Sequence, residues 1–121
     1  IQKIAFLSRK KNSINAYNIL KDLSSAVAPL MKESNLKITL LTEFYPNNKS
    51  LLGLNYNSGQ KICLRLRSPF DENTFLHFTE ILSTLLHELS HNFHGPHDNK
   101  FYNFLSHLNE RLYQIQKLGS Y

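Results

Sequence analysis

The chain has 121 residues, a length that suits one domain built around a single hydrophobic core. Hydrophobic residues make up 41% of it, which excludes a disordered tail. Its formal net charge of +5 favours an anionic partner such as nucleic acid or acidic lipid. Its one cysteine excludes an internal disulfide and fits a reducing compartment, and no apolar run approaches the roughly 20 residues of a membrane span.

The N-terminal part of the chain predicts a strand followed by a helix. Residues 1–7 (IQKIAFL) are typical of a short strand. From Ile14 onwards apolar residues recur at steps of three and four, which predicts a helix that serves as core scaffold. Pro29 lacks an amide hydrogen, so we expect this helix to kink or end near residues 27–28.

Residues 36–45 (LKITLLTEFY) predict a second, half-buried strand. Its alternation places Leu40 and Phe44 on the inward face and Glu43 on the outward face. Because this strand follows a strand and a helix, a crossover connection and a partly parallel sheet are favoured.

Residues 51–57 and 61–67 predict two further strands, joined as a hairpin by residues 57–60 (NSGQ). The second strand alternates regularly between apolar residues and a set that is mostly basic. We expect the apolar set to face the core and the other set to face solvent. The inward set is Ile62, Leu64 and Leu66, and the outward set is Lys61, Cys63, Arg65 and Arg67.

The basic residues of this strand form a stripe of cations. Residues two apart in a strand are about 6–7 Å apart, which resembles the spacing of successive phosphates on one nucleic-acid strand. Two interpretations remain open: Lys61, Arg65 and Arg67 bind DNA, or they form an ordinary solvated face of the sheet.

Residues 68–74 (SPFDENT) predict a loop, and a helix should start between Phe75 and Phe78. The apolar face of this helix comprises Phe78, Leu82, Leu85, Leu89 and Phe93. The opposite face carries two histidines, so the pattern predicts a helix that is packed on one side and free to hold a metal on the other.

The sequence H-E-x-x-H lies on this helix as His87, Glu88 and His91. Residues four apart lie one above the other, so the two histidines can offer imidazole nitrogens to one ion. Glu88 is rotated by about 100° and its carboxylate can instead reach a water on the ion's open side. Two ligands and a general base on one helical turn are typical of a zinc hydrolase.

Two histidines, His94 and His97, compete for the third ligand position. On a continuous helix His94 would lie roughly 10.5 Å along the axis from His87, too far for one ion whose bonds to nitrogen are about 2.0–2.1 Å long. Gly95 can end the helix in a left-handed conformation, and Pro96 opposes its continuation. His97 is the first histidine after this reversal, so we predict it as the ligand and place His94 at the rim.

Asp98 precedes the last predicted helix. It can cap that helix or accept a hydrogen bond from the second ring nitrogen of a ligand histidine, and the two roles are compatible. The apolar face of the helix comprises Phe101, Leu105, Leu108, Leu112 and Ile115.

Three neutral imidazoles leave a zinc ion with one open position, where the pKa of a bound water falls to about 7. We expect this water to attack a peptide carbonyl while Glu88 takes its proton as general base. Candidates for an additional oxyanion donor are His94, Tyr102 and Tyr113. The competing interpretation is a zinc-stabilised DNA-binding or adaptor module without proteolysis, in which a fourth protein ligand closes the site.

The H-x3-H-x5-H spacing of residues 87–97 is similar to that of the metal ligands in metzincin proteases. A histidine, His94, stands where those proteases have a glycine, and the only methionine, Met31, lies upstream, so no methionine turn can lie beneath the site. The segment HELSHNFHGPHDNKFYNFL, together with LTEFYPNN and LLGLNYNSGQKICLRLR, instead resembles the WLM family of DNA-dependent metalloproteases, relatives of Spartan.

This resemblance implies an α+β, zincin-like domain with a small mixed sheet of about four strands, packed on the active-site helix with one helix before it and one after. It implies that His87, His91 and His97 hold one zinc ion and that Glu88 is catalytic. Because the first residue is Ile1, we expect residues 1–121 to be a single domain excised from a longer protein.

The resemblance also implies a nuclear endopeptidase in DNA–protein crosslink repair. Family members are activated by DNA, especially single-stranded DNA, degrade proteins covalently trapped on it, and cleave themselves. Fungal members are linked to SUMO and bind a AAA-type segregase through motifs that this chain lacks, so we expect those two partners to bind only segments outside it. No membrane partner is expected, and an intracellular peptidase indifferent to DNA is the remaining alternative.

Overall fold

A four-stranded sheet and three helices form the frame of the computed structural model, which describes residues 1–118. None of the helices in these residues is long and apolar enough to cross a membrane. The elements in chain order are β1 (Lys3–Ala5), α1 (Ser13–Glu33), β2 (Leu40–Phe44), β3 (Gly53–Tyr56), β4 (Lys61–Arg65), β5 (Arg67–Ser68), β6 (Asp71–Phe75), α2 (Phe78–Ser90) and α3 (Asn99–Leu118).

The main sheet has the strand order β1-β2-β4-β3 and is mixed, as predicted. Strands β1, β2 and β4 run parallel, and β3 pairs antiparallel with β4 through the predicted hairpin. Gly59 closes that hairpin with a φ of +99°, and a β-carbon there would collide with the carbonyl oxygen of Lys37. Strands β1 and β3 are therefore the two edges, and β4 is enclosed between β2 and β3.

All three helices contribute to one core beneath the sheet. Burial of these apolar side chains is the main favourable term in folding. Fully buried members of the core include Leu20, Leu23, Val27, Leu41, Ile62, Leu64, Leu85, Leu89 and Leu108.

Helix α1 continues through Pro29 to Glu33, so of the two expected effects of the proline, a kink or an end near residues 27–28, the end is wrong. Leu30 and Met31, which follow the proline, are 0% and 5% exposed. Burying two such side chains contributes about 1.5–3 kcal/mol each, enough to offset the cost of about 3 kcal/mol for a proline inside a helix.

The alternation of β2 is shifted by one residue from the predicted one. Leu41 and Glu43 are buried, whereas Leu40 and Phe44 are only half-buried, so the outward position predicted for Glu43 is wrong. The carboxylate accepts hydrogen bonds from Arg67 Nε at 2.7 Å and from the backbone amide of Leu7 at 2.9 Å. Both side chains of the Arg67–Glu43 ion pair are fully buried.

The solvent-facing stripe predicted for residues 61–67 is also wrong, because Arg65 and Arg67 are 2% and 0% exposed and Cys63 is buried too. Arg65 donates hydrogen bonds of 3.0 Å to the carbonyl oxygens of three residues in the β2–β3 loop, Pro46, Asn48 and Leu51. Arg67 donates to the carbonyl oxygens of Lys11 and Glu72 and lies over the Phe75 ring. These guanidinium groups therefore hold loops in place, and only Lys61 keeps partial exposure.

The predicted loop at residues 68–74 contains a small hairpin instead. Strands β5 and β6 pair antiparallel, and the Asp71 carboxylate stabilises their connection by accepting hydrogen bonds from the Asn73 amide and the Thr74 hydroxyl. Such local hydrogen bonds are typical of Asx turns.

The buried ion pair gives a stability prediction. Glu43→Ala leaves the Arg67 charge buried without a carboxylate, so we expect the free energy of unfolding to fall by roughly 3–5 kcal/mol in denaturant titrations. Glu72→Ala is the matched control, because its carboxylate pairs with Lys10 at the surface and is 53% exposed. Equal losses in the two variants would contradict a structural role for the buried pair.

Candidate metal centre

The site is built on the C-terminal end of α2. The helix starts at Phe78, within the predicted limits, and packs on the core through Ile81, Leu85, Leu86 and Leu89. Phe78 and Phe93 are 38% and 54% exposed, so their assignment to the apolar face is wrong.

The helix ends at Ser90, earlier than the sequence suggested. His91 caps it in a helical conformation, and its amide donates to the carbonyl oxygen of Glu88. Residues 91–93 form the turn that follows. Gly59 is the only glycine with a positive φ in the described part of the chain, so the left-handed conformation expected for Gly95 is wrong although the reversal is present.

The reversal brings together the three histidines predicted as ligands. One nitrogen from each of His87, His91 and His97 lies within 4.8 Å of the others. The two Nε2 atoms of His91 and His97 are 3.1 Å apart. Three imidazoles converging on one point form the donor set that zinc prefers at catalytic sites, so these residues fit a zinc ion.

A backbone carbonyl fixes the tautomer of His91. Its Nδ1 lies 3.1 Å from the carbonyl oxygen of His94 and must donate to it, so in the neutral ring the Nε2 lone pair is free to face a metal. His87 is also favoured in its neutral form, because burial, followed by the charges of His91 and His97, lowers its pKa.

Phe101 forms a floor beneath the three histidines. It is 0% exposed, and its ring centroid is 4.9 Å from that of His87, 4.6 Å from His91 and 4.9 Å from His97. Asp98 caps α3 by accepting the Phe101 amide at 3.0 Å, so the cap also positions the ring. From the sequence, Phe101 was predicted only as a core residue of the last helix. The one sign that another residue lies beneath the site was that no methionine follows the three histidines, so no methionine turn could lie there.

The remaining candidates lie outside the cluster. The half-buried His94 packs against Phe104 at 5.5 Å and contributes its carbonyl oxygen to the site. The ring of Tyr102 is 53% exposed and 6.3 Å from that of His97. Tyr113 lines a separate groove between α2 and α3, which includes none of the three histidines.

Glu88 is buried at the base of a groove of about 300 Å³ that also reaches His87. Its side chain is 7% exposed, and this burial raises its pKa to about 7, against the opposing effect of the charge on His97. A carboxylate with that pKa can accept a proton near neutral pH.

Asn55 of β3 ties the sheet to the end of α2. Its Nδ2 donates to the Glu88 carbonyl oxygen at 2.6 Å and to Asn92 Oδ1 at 2.7 Å, and its Oδ1 accepts the Gly59 amide at 2.8 Å. Sequence periodicity gave no signal for this residue. The β3–β4 hairpin and the turn that follows α2 are therefore connected by one side chain.

A model of the WLM domain family matches residues 1–121, so the chain belongs to this family. The chain is 50% identical over 121 residues to the DNA-dependent metalloprotease WSS1 of Saccharomyces cerevisiae and 35% identical over 120 residues to the DNA-dependent metalloprotease WSS1 homolog of Schizosaccharomyces pombe. These matches cover 100% and 98% of the chain but 45% of each relative, so it spans about half the length of the curated relatives it matches.

Solved structures of Wss1 have the same fold. The S. cerevisiae crystal structure matches with a TM-score of 0.96 at 49% identity, covering 98% of this chain and 92% of that chain. The S. pombe structure matches with a TM-score of 0.82 at 30% identity, covering 93% and 92%. The predicted zincin-like α+β fold, with a four-stranded mixed sheet, a site helix and one helix on either side, is thus confirmed.

The position of the third ligand can be tested with two histidine variants. We expect His97→Ala to weaken zinc binding by roughly a hundredfold or more, because it removes one of three donors. His94→Ala is the matched control and should bind zinc as tightly as the wild type, because its backbone carbonyl remains. Competition with a chelating dye measures both affinities, and a larger loss in His94→Ala would contradict the ligand assignment.

Proposed function

We propose that this chain is a zinc-dependent endopeptidase domain activated by DNA. The observation that carries the proposal is the convergence of His87, His91 and His97 beside the buried carboxyl group of Glu88. The names of the two relatives, both DNA-dependent metalloproteases, support it.

His87, His91 and His97 would hold the zinc ion through ring nitrogens. When bound there, zinc would supply Lewis-acid chemistry, which polarises a substrate carbonyl and makes water more acidic. The chain contributes the orientation of the ligands: the His94 carbonyl fixes the His91 ring, and Phe101 excludes water from beneath all three imidazoles.

Glu88 acts as the general base in this proposal. Its carboxylate accepts a proton from the attacking water and passes it to the leaving amine. The raised pKa, about 7, keeps the carboxylate basic enough to take the first proton and the carboxyl group acidic enough to give it up.

The edge strand β3 is positioned to bind an extended substrate. Its outer edge has no partner strand among the described residues, and Gly53 packs directly against the Glu88 side chain where both line the groove. A peptide added along this edge would form main-chain hydrogen bonds and pass over the catalytic carboxyl group. The choice of substrate would then depend on which peptide segments can enter the groove, whose other walls include Ser50, Leu52 and Ser83.

The substrates we propose are proteins covalently crosslinked to DNA, with self-cleavage as a side reaction. Activation by single-stranded DNA and a nuclear site of action follow from that role and rest on the family resemblance. Any contact with SUMO or a AAA-type segregase would be made by segments outside these 121 residues.

The base role is tested by Glu88→Gln, which keeps the size of the side chain and removes its basicity. We expect cleavage of a DNA-binding protein, with single-stranded DNA present, to fall by about 10²–10⁴-fold while zinc affinity stays near the wild-type value. An unchanged cleavage rate in a zinc-loaded variant would contradict the mechanism.

The close approach of β3 to the site gives a second test. A β-carbon at Gly53 would lie 2.8 Å from Thr84 Cγ2 and 3.1 Å from Glu88 Cγ, so Gly53→Ala should displace the catalytic side chain and lower kcat/KM by roughly ten- to a hundredfold. Adding Thr84→Ser removes the closest methyl group and should restore part of the activity. An unchanged kcat/KM in Gly53→Ala would show that activity does not depend on this position of the Glu88 side chain.

A further inference from the structure

One rung of the main sheet carries a basic and aromatic row across all four strands. Lys3 pairs with Leu40, Leu40 with Lys61, and Lys61 with Tyr56. Residues paired directly in a sheet project from the same face, so these four side chains form one row, which we call the basic rung.

The basic rung lies on the face of the sheet opposite the helices. The adjacent rung includes Leu41 and Ile62, both fully buried in the core, and Asn55, whose side chain contacts the end of α2. Because side chains alternate along a strand, Lys61 and its neighbours face the other way. Further along β4 this outer face is covered, because Cys63 is buried and Arg65 binds the carbonyl oxygens of the β2–β3 loop.

The basic rung is open to ligands. The Tyr56 side chain is 45% exposed, Lys3 is exposed and Lys61 is half-buried. Together with Thr39 and Gln60 the rung lines a groove of about 460 Å³, and no carboxylate contributes to its walls. Within residues 1–118, none of the ion pairs involves Lys3 or Lys61.

The chemistry of the rung matches single-stranded nucleic acid. The Lys61 ammonium lies 4.8 Å from the centre of the Tyr56 ring, so a cation and an accessible aromatic face are adjacent. Lys3 is two strands away from Lys61, about 10 Å, a separation that flexible side chains can adjust to neighbouring phosphates. Cations along a groove with an aromatic ring for base stacking are the usual elements of sequence-tolerant single-strand binding.

We propose that the basic rung is the surface through which this chain binds single-stranded DNA, an inference that rests on the proposed activation by DNA. Lys3 and Lys61 bind phosphates, and Tyr56 stacks on a base. The surface is coupled to the metal centre through β3, because Asn55 directly precedes Tyr56 in that strand and donates a hydrogen bond to the carbonyl oxygen of Glu88.

Binding to a fluorescent oligothymidine of about 10 nucleotides tests the surface at several salt concentrations. All variants carry Glu88→Gln, which excludes self-cleavage. For Lys3→Ala with Lys61→Ala we expect about tenfold weaker binding and a slope of log K against log salt that is shallower by about 1.4, the value for two lost phosphate contacts. Tyr56→Leu should weaken binding about tenfold with the slope unchanged, whereas Tyr56→Phe should match the wild type.

The charge-matched control is Lys32→Ala with Lys117→Ala, which removes two exposed lysines from α1 and α3. Similar losses of affinity in both lysine double variants would contradict the proposed surface. So would an unchanged slope of log K against log salt when Lys3 and Lys61 are replaced. Equal affinity for a duplex of the same length would overturn the stacking role of Tyr56. Because binding is measured without cleavage, a protein that binds the oligonucleotide but shows no proteolysis would contradict the protease proposal and not the DNA-binding surface. A wild type that binds no oligonucleotide would contradict both the surface and the proposed activation by DNA.

Discussion

The candidate metal centre depends on one geometric constraint: a helix can present only two imidazoles to one point, so the third must come from a chain that turns back. Helix α2 meets it by ending at Ser90, directly before His91, so that the chain turns back within a few residues and delivers His97. The hydrogen bond from His91 Nδ1 to the His94 carbonyl both closes this turn and orients the His91 ring. The reversal and the ligand geometry are therefore the same structural feature.

The rest of the fold supports this turn from two sides. From below, α3 is capped by Asp98 and carries Phe101 against all three rings. From the sheet, Asn55 holds the last turn of α2, and Gly53 leaves room for the Glu88 side chain. These supports come from elements distant in sequence, which explains why local patterns predict the candidate ligands but not the residues that hold them.

The comparison of sequence with structure shows where local patterns suffice. The spacing of His87 and His91, the length argument against His94 and the Gly-Pro pair were enough to choose His97 as the third member of the cluster. Alternation in β4, however, distinguishes two faces without saying which is covered. Residues 62–65 are all buried, so both faces of β4 are covered along most of its length, and only Lys61 at its start keeps partial exposure.

The same limit explains the shift at Glu43 and the continuation of α1 past Pro29. In each case a tertiary interaction outweighs the local preference: a buried ion pair with Arg67 in the first, and burial of Leu30 and Met31 in the second. Only pairing across strands reveals that Lys61 shares an open face with Lys3 and Tyr56, since no sequence window contains all three.

The central claim is that His87, His91 and His97 form an open catalytic site rather than a closed structural one. Anomalous diffraction at the zinc edge from crystals of the zinc-loaded protein tests it most directly. The account predicts one ion bound by a nitrogen from each of these three residues, with no fourth ligand from the protein. A fourth protein ligand, such as the imidazole of His94, would contradict it and indicate a structural zinc.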